Sequence, residues 1–234
     1  MRALAIIPAR GGSKGLPGKH LMEIGGKTLI QRAMESADQA TSILGVIVTT
    51  DDPNIVVEAN RYLRFCDDIV LRPPELATDE CGMVPVLQHA VQWEQTHGDK
   101  NRYDMVVLLQ PTSPFRTGQD IDACVALVTG EVESAQTVVE ANYNPFKMMA
   151  VHHDGMPYFV DPDYASKDTR RQDITFHQPS GSVYVMRRRP LMDDGLIISP
   201  VHRCLITPWE RSLNINTPWD FRIAEMVYAR GFQP

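Results

Sequence analysis

Short apolar runs alternate with amphipathic stretches through the first half of the chain. The apolar runs predict buried strands at Ala3–Ile7, Gly45–Thr50, Asp68–Leu71 and Asp104–Leu109. The stretches between them have apolar residues at helical spacing and begin near Thr28, Asp52, Val86 and Thr117. Thr28 and Gln31 have the spacing of a capping box, and Asp52 followed by proline is typical of a helix start. Strands that alternate with helices predict βαβ units around a mostly parallel sheet.

The pattern changes near residue 134, where the strand candidates are no longer separated by long helical stretches. These later strands are predicted at Ser134–Val139, Met148–His152, Ser182–Met186 and Leu196–Ile198. The residues His153-Asp154-Gly155 predict a tight hairpin turn, and Thr217-Pro218 is typical of the start of a last helix. We therefore expect one domain over residues 1–234, with an α/β core and a β-rich insertion over residues 138–200.

Composition and charge narrow the class of protein. Hydrophobic residues make up 43% of the 234 residues and charged residues 22%, which is the balance of a soluble globular protein. No apolar run approaches the ~20 residues needed to cross a membrane, and a net charge of -6 argues against nucleic-acid binding. The four cysteines have no C-x-x-C spacing, so neither a zinc site nor a disulfide framework is indicated. We expect a cytoplasmic protein with reduced thiols.

The segment after the first strand has the composition of an anion-binding loop. It reads IPARGGSKGLPGKHL over residues 6–20 and is longer than a simple turn of roughly two to five residues. Its glycines let backbone N–H groups approach an anion, and Arg10, Lys14 and Lys19 supply positive charge. The dinucleotide fingerprint G-x-G-x-x-G is absent. Gly26-Lys27-Thr28 has the composition of the end of a Walker A motif, but that motif would need a glycine where Leu21 stands. The loop therefore predicts a different kind of polyphosphate site at the carboxyl end of a strand.

The loop and three later motifs together resemble one enzyme family. The later motifs are LRPPELA from residue 71, LLQPTSPFR from residue 108 and NINTPWD from residue 214. In their order and over nearly the whole chain, they resemble the acylneuraminate cytidylyltransferases, or CMP-sialic acid synthetases. The resemblance implies a three-layer, Rossmann-like nucleotidyltransferase fold with a mostly parallel sheet, and a homodimer formed through the β-rich insertion. It further implies transfer of CMP from CTP to the anomeric hydroxyl of a nonulosonic acid, with release of pyrophosphate and use of Mg²⁺ or Mn²⁺.

The resemblance assigns nucleotide binding to the loop and to the LRPPELA motif. The implied nucleotide-binding residues are Ala9, Arg10, Gly12, Ser13, Lys19, His20 and Arg72. Arg10 and Lys19 would contact the triphosphate and are the candidate catalytic residues. His20 replaces an asparagine of the family and could still donate one hydrogen bond. Arg72 would help to recognise cytosine, although residues 78–82 differ from the serines that the family usually has there.

The resemblance assigns binding of the sugar acid mostly to the second half of the chain. The implied residues are Gln110, Lys147, Arg170, Arg171 and Tyr184. Gln110 follows the predicted strand Asp104–Leu109, at the end where open α/β sheets place substrate groups. The choice between Arg170 and Arg171 stays open, and Arg116 is expected to support the loop after Gln110.

The metal site departs from the family pattern. The family commonly has two aspartates in a motif I-D-I-D-T, whereas this chain has Asn214 and Asn216. A neutral amide oxygen is a weaker ligand for a hard cation than a carboxylate, so we expect lower affinity for Mg²⁺ or Mn²⁺ than in relatives. The metal would then arrive bound mainly to the oxygens of the triphosphate.

Two other functions stay open at this point. The same chemistry could act on another acceptor, such as Kdo, a phosphonate or a sugar phosphate. Alternatively, the chain could be a nucleotide-binding homologue that has lost catalysis, as the two asparagines suggest. No general base is evident, and Lys19 and His20 are the nearest titratable groups in the sequence.

Overall fold

Helices pack on a central sheet in a computed structural model that describes residues 2–13, 15–62, 66–98, 102–160 and 175–232. Its strands are β1 (Ala3–Pro8), β2 (Glu23–Ile24), β3 (Lys27–Thr28), β4 (Ile43–Thr50), β5 (Asp68–Leu71), β6 (Met105–Leu109), β7 (Ser134–Glu140), β8 (Met149–Val151), β9 (Pro157–Phe159), β10 (His177–Arg187) and β11 (His202–Ile206). Its α-helices are α1 (Leu29–Asp38), α2 (Pro53–Asn60), α3 (Met83–His97), α4 (Gly118–Ala126), α5 (Arg188–Asp193) and α6 (Pro218–Ala229).

Seven strands form the central sheet, in the order β11-β7-β10-β6-β1-β4-β5. β1 pairs in parallel with both β4 and β6, and β4 pairs in parallel with β5. β10 is antiparallel to β6 and β7, and β11 is parallel to β7. The predicted mostly parallel sheet is confirmed. Because β5, β4, β1 and β6 run in one direction, the loops that follow them meet at one edge of the sheet.

Helices cover both faces of the sheet, which makes the fold three-layered. Along β1, Ala3, Ala5 and Ile7 belong to the core on one face, where α1 and α4 pack. Leu4 and Ile6 belong to the core on the other face, where α3 and α5 pack. Burial on both faces explains why β1 and β6 are continuous apolar runs in the sequence.

A third hydrophobic cluster joins segments that are far apart in the sequence. Leu16, from the loop after β1, packs in this cluster with Leu213 and Ile215, which precede α6, and with Phe221 of α6. Phe115 also belongs to the cluster and is fully buried. Ile215 N also donates to the carbonyl oxygen of Thr112, at 2.8 Å. The loop after β1, the loop after β6 and the segment before α6 are therefore held together.

One predicted strand is wrong and one short helix was missed. Residues 196–198 form no strand; the strand of this region is β11, which begins at His202. β11 is an edge strand that is mostly exposed, so it lacks the apolar alternation by which buried strands are recognised. The missed helix, α5, has six residues and shows little helical periodicity.

The predicted capping box at Thr28 is only half formed. Thr28 Oγ1 accepts from Gln31 N at 3.2 Å, but the Gln31 side chain donates to Glu35 instead of returning to the cap. Complete capping boxes occur at the starts of α4 and α6, with Asp120 and Asp220 as their acidic partners.

The region predicted as a β-rich insertion, residues 138–200, contributes to more than one part of the fold. β10 belongs to the central sheet, whereas β8 and β9 form a separate antiparallel hairpin around the predicted turn at residues 153–155. Its role in dimerisation stays a prediction. Within the part of the chain that the structure describes, no helix has both the length and the hydrophobicity needed to span a membrane.

Candidate active site

A cavity of about 470 Å³ opens at the edge of the sheet where the loops after β1, β5 and β6 meet. Seven of the residues singled out from the sequence line it: Arg10, Ser13, Lys19, His20, Arg72, Gln110 and Asn216. Four further lining residues, Pro8, Gly15, Pro111 and Thr112, belong to the segment IPARGGSKGLPGKHL and to the LLQPTSPFR motif. The sequence analysis gave no role to the remaining two, Asp79 and Met83. Asp79 and Met83 reach the cavity through tertiary packing, which no local pattern in the sequence identifies.

Arg10 is held against one wall of the cavity by residues of the segment before α3. Its Nη1 donates to the carbonyl oxygen of Thr78 at 3.0 Å, and its Nη2 lies 2.6 Å from Asp79 Oδ1. These contacts hold the guanidinium group in place, but one of its nitrogens is already paired with the carboxylate of Asp79. An incoming triphosphate must therefore compete with Asp79 for this cation.

The glycine-rich loop packs closely on the segment before α6. A Cβ at Gly15 would lie 2.6 Å from the carbonyl oxygen of Asn216, a distance that side chains do not tolerate. A Cβ at Gly12 would meet nothing within 4 Å, and Gly12 does not line the cavity, although its neighbour Ser13 does. Ala9 does not line the cavity, because its side chain is in the core and its N–H donates to the Thr49 carbonyl oxygen at 3.0 Å.

Lys19 connects this loop to the segment that contains the two asparagines. Its Nζ donates to the carbonyl oxygen of Ile215 at 3.3 Å and to Asn216 Oδ1 at 3.4 Å. Burial and the nearby Arg10 lower the pKa of Lys19, while Asp220 opposes them. The ammonium group therefore favours an additional anionic partner in the cavity.

The side chains of Asn214 and Asn216 do not fit a metal site of their own. Asn214 Oδ1 accepts from Asn216 Nδ2 at 3.3 Å, and Asn216 Oδ1 accepts from Lys19, so both amide oxygens already have donors. The nearest carboxylate in sequence, Asp220, accepts from the backbone N–H groups of Asn216 and Thr217. Within the described ranges, no three His, Cys, Asp or Glu side chains are grouped as metal ligands.

His20 is buried in the wall of the cavity and is neutral at physiological pH. Its Nδ1 lies 3.0 Å from the Arg10 carbonyl oxygen. Since a carbonyl only accepts, the proton lies on Nδ1 and leaves Nε2 as an acceptor. Burial, followed by the positive charge of Lys19, lowers the pKa of His20 to about 4. The sequence suggested that His20 could donate a hydrogen bond to the nucleotide, but its one N–H group already donates to the Arg10 carbonyl oxygen. Nε2 can only accept a hydrogen bond.

The depressed pKa of His20 should appear in the pH dependence of stability. The unfolded chain takes up a proton on this residue as the pH falls through 6.5, but the folded chain does so only near 4. The free energy of unfolding should therefore fall below pH 6.5, with His20 contributing a loss of about 2 kcal/mol by pH 5. Urea unfolding at about pH 7.5 and about pH 5 would measure this loss. It should be clearly smaller in His20→Asn, which keeps every other histidine; equal losses would contradict the assignment.

Arg72 forms the floor of the cavity beside β4. Its Nε donates to Thr49 Oγ1 at 3.1 Å and its Nη2 to the Thr49 carbonyl oxygen at 2.9 Å. Burial lowers the pKa of Arg72 to about 10, so it stays charged at neutral pH. A fixed, buried cation of this kind offers a rigid donor to a ligand.

Gln110 lies at the end of β6 and is supported from below by a buried arginine. Arg116 Nη1 donates to the carbonyl oxygens of Gln110 at 3.1 Å and of Ser182 at 2.7 Å. This geometry agrees with the supporting role expected of Arg116. Gly181 lies close to the side chains of Gln110 and Asn214. A Cβ at this position would be 3.6 Å from Gln110 Oε1 and would clash with Asn214 Nδ2.

Of the remaining candidates for sugar binding, only Tyr184 has a described side chain, and it does not line the cavity. Tyr184 packs instead against the core on the α3 face of the sheet, because alternate residues of β10 point to opposite faces. Its pKa is raised by burial. Arg170 and Arg171 lie outside the described residues, as does the side chain of Lys147.

The sheet and the cationic cavity at its edge define the chain as a Rossmann-like α/β protein with a candidate anion site. A solved CMP:2-keto-3-deoxy-manno-octonic acid synthetase in complex with CTP shares the fold, with a TM-score of 0.72 at 18% identity over 98% of this chain and 99% of that one. A 4-diphosphocytidyl-2C-methyl-D-erythritol synthase from Anaerococcus prevotii has a TM-score of 0.65 at 12% identity, covering 97% and 96% of the two chains. These similarities establish the Rossmann-like fold.

Sequence comparison then gives the family. The profile described as cytidylyltransferase matches residues 4–185, and the chain belongs to the cytidylyltransferase family. It is 33% identical over 95% of its length to an N-acylneuraminate cytidylyltransferase of Escherichia coli O18:K1:H7, but it covers only 51% of that protein. It is 30% identical to a CMP-N,N'-diacetyllegionaminic acid synthase of Legionella pneumophila, covering 97% of this chain and 96% of that one. A pseudaminic acid cytidylyltransferase of Campylobacter jejuni is 26% identical, with 97% of both chains covered.

Proposed function

We propose that this chain transfers CMP from CTP to the anomeric hydroxyl of a nonulosonic acid and releases pyrophosphate. The observation that supports this most directly is the cavity that places Arg10, Lys19 and Arg72 together with Gln110 at the sheet edge. The three cations suit a triphosphate, and an amide N–H suits the carboxylate of a sugar acid. The names of the sialic, legionaminic and pseudaminic acid relatives support the acceptor class.

The reaction would be an in-line displacement at the α-phosphorus of CTP. The anomeric oxygen would form a bond to this phosphorus while the bond to the bridging oxygen of the β-phosphate breaks, so that pyrophosphate leaves with the electron pair. The hydroxyl proton would pass to the leaving pyrophosphate or to water. Arg10 and Lys19 would offset the charge that builds up on the phosphate oxygens. His20, with a pKa of about 4, is too weak a base for an alcohol at neutral pH, so its role would be to accept a hydrogen bond through Nε2.

A pyrophosphate-release assay with CTP and a panel of acceptors tests this function. The panel contains N-acetylneuraminic acid, N,N'-diacetyllegionaminic acid, pseudaminic acid and Kdo, and UTP replaces CTP as a control for the base. Release with one of the first three acids would support the proposal. Release with Kdo alone would favour the alternative acceptor, and CTP binding without release under every condition would favour the homologue that has lost catalysis.

The metal requirement gives a separate prediction, since Mg²⁺ or Mn²⁺ is proposed to accompany the nucleotide. Calorimetric titration of the nucleotide-free protein with Mg²⁺ should show no binding below the millimolar range, because both asparagine amide oxygens are already hydrogen-bonded. The double variant Asn214→Asp/Asn216→Asp should bind Mg²⁺ more tightly, since it supplies two carboxylates. Tight binding by the unchanged protein would contradict this prediction.

We further propose that the protein acts in the cytoplasm as a homodimer joined through the β8–β9 hairpin. The hairpin exposes large apolar side chains, among them Met149, Val151 and Tyr158, which are 56%, 65% and 48% exposed. Such a patch on a small hairpin suits burial against a second copy. Sedimentation equilibrium would distinguish a dimer from a monomer.

A further inference from the structure

A second, smaller cavity of about 110 Å³ lies between β3, α1, the loop before α4 and α6. Its lining is mostly polar and consists of Lys27, Arg32, Glu35, Ser36, Gln39, Pro114, Arg116 and Tyr228. None of these residues lines the large cavity. Its volume equals that of about three to four water molecules, which excludes a nucleotide but admits a small ion.

Positive charge dominates this cavity. Three of its residues are cations and one, Glu35, is a carboxylate. Glu35 is already engaged, because its Oε2 accepts from Lys27 Nζ at 2.8 Å and its Oε1 accepts from Gln31 Nε2 at 2.9 Å. Of the other two cations, Arg116 has the Asp120 carboxylate nearby, outside the lining; burial lowers the pKa of Arg116, and the charge of Asp120 opposes this effect. Arg32 has no other carboxylate among the lining residues.

Arg116 has an unsatisfied donor at this site. Its side chain is buried, with 3% exposure, and its Nε and Nη1 donate to Ser36 Oγ and to two carbonyl oxygens. Its Nη2 has no hydrogen-bond partner among the described residues. A buried guanidinium donor without an acceptor is costly, and its presence in a native structure calls for a partner such as an ion.

Arg32 is fixed in place on the other side of the cavity. Its Nε donates to the Ile24 carbonyl oxygen at 3.1 Å, its Nη2 donates to the same oxygen, and its guanidinium carbon lies 4.9 Å from the centre of the Tyr228 ring. Only glycine fits at position 25 beneath this ring, since a Cβ there would lie 2.0 Å from Tyr228 Cζ. The cation is therefore preorganised, which lowers the entropic cost of binding an anion.

We propose that this small cavity is a binding site for a tetrahedral oxyanion of the phosphate or sulfate class. The anion would accept a hydrogen bond from Arg116 Nη2 and would be stabilised by the charges of Lys27 and Arg32. Arg116 also donates to the Gln110 carbonyl oxygen, so a bound anion would hold the loop after β6 in place. The site does not depend on the reaction that takes place in the large cavity.

Crystals soaked in selenate test the site directly, because selenium scatters anomalously and selenate has the shape of sulfate. We expect an anomalous peak within hydrogen-bond distance of Arg116 Nη2, separate from any peak near Arg10 and Lys19. A peak in the large cavity without one at Arg116 would overturn the proposal.

Thermal unfolding with added sulfate, at constant ionic strength set with chloride, tests the same site in solution. The dissociation constant of sulfate, derived from the shift in Tm, should be about tenfold higher in Lys27→Gln than in the unchanged protein, since this substitution removes one cation without touching the core. Arg61→Gln is the matched control, because Arg61 is an exposed cation paired with Glu58 and lies outside both cavities. Arg10→Gln removes the contribution of the large cavity. A sulfate effect that disappears in Arg10→Gln but is unchanged in Lys27→Gln would overturn the proposal.

Discussion

Replacing Arg10 with alanine is expected to slow pyrophosphate release from CTP by at least about a hundredfold. The substitution removes charge-assisted hydrogen bonds to the triphosphate from the wall of the cavity. It also leaves the Asp79 carboxylate, now 2.6 Å from Arg10 Nη2, without this cation while it still lines the cavity. A carboxylate beside a polyphosphate is repulsive, so both the affinity for CTP and the rate should fall.

A second variant separates these two effects. In Arg10→Ala/Asp79→Ala the repelling charge is also gone, so the dissociation constant of CTP should recover in part relative to Arg10→Ala. Arg2→Ala is the control, because Arg2 forms an exposed ion pair with Asp104 at the opposite end of β1 and its loss should change the rate by less than about twofold. Near-normal turnover of Arg10→Ala would refute the assignment of the loop, and a double variant no better than the single one would refute the repulsion.

Gly15→Ala should lower kcat/KM by roughly a hundredfold while the fold is retained. The new Cβ would lie 2.6 Å from the Asn216 carbonyl oxygen, so the loop and the segment before α6 must move apart. This movement would displace Lys19, whose Nζ contacts both Ile215 and Asn216. Steady-state kinetics with CTP and the best acceptor would measure the loss.

Gly82→Ala serves as the control for this substitution. Gly82 precedes α3, and an added Cβ would meet only Pro85 Cδ at 3.9 Å, which is an ordinary contact. This variant should keep its kcat/KM within a few-fold of the unchanged protein, and circular dichroism should show both variants folded. If Gly15→Ala were as active as Gly82→Ala, the close packing of the loop on Asn216 would not matter for catalysis.

The parts of the fold that were predictable from the sequence are those with strong burial. β1 and β6 are covered on both faces and are therefore continuous apolar runs. β5 is an exception, because it is an edge strand in which only Val70 is buried, yet its apolar run Ile69–Leu71 predicted its observed bounds, Asp68–Leu71. β11 was misplaced because it is an exposed edge strand. Burial produces the periodicity on which such predictions depend, so exposed elements lack the signal.

The site was predictable where a motif follows a strand, and less so where distant segments meet. Arg10 and Gln110 follow β1 and β6, and the parallel sheet brings them to one edge. The pairing of Arg10 with Asp79 depends on tertiary contacts that no local spacing reveals. Tyr184 shows a further limit, because a shift of one residue along a strand changes the face to which a side chain points.

The segment of residues 213–216, whose Asn216 lines the cavity, has a consequence for the synthesis of the protein. This segment contacts Leu16 and Thr112 and precedes α6, so the cavity has contributions from segments that are far apart in the sequence. During translation the glycine-rich loop emerges first, but Asn216 follows it by some two hundred residues, or about 10 to 40 seconds of elongation. A nascent chain on the ribosome should therefore be unable to retain nucleotide until Asn216 and the start of α6 have left the exit tunnel.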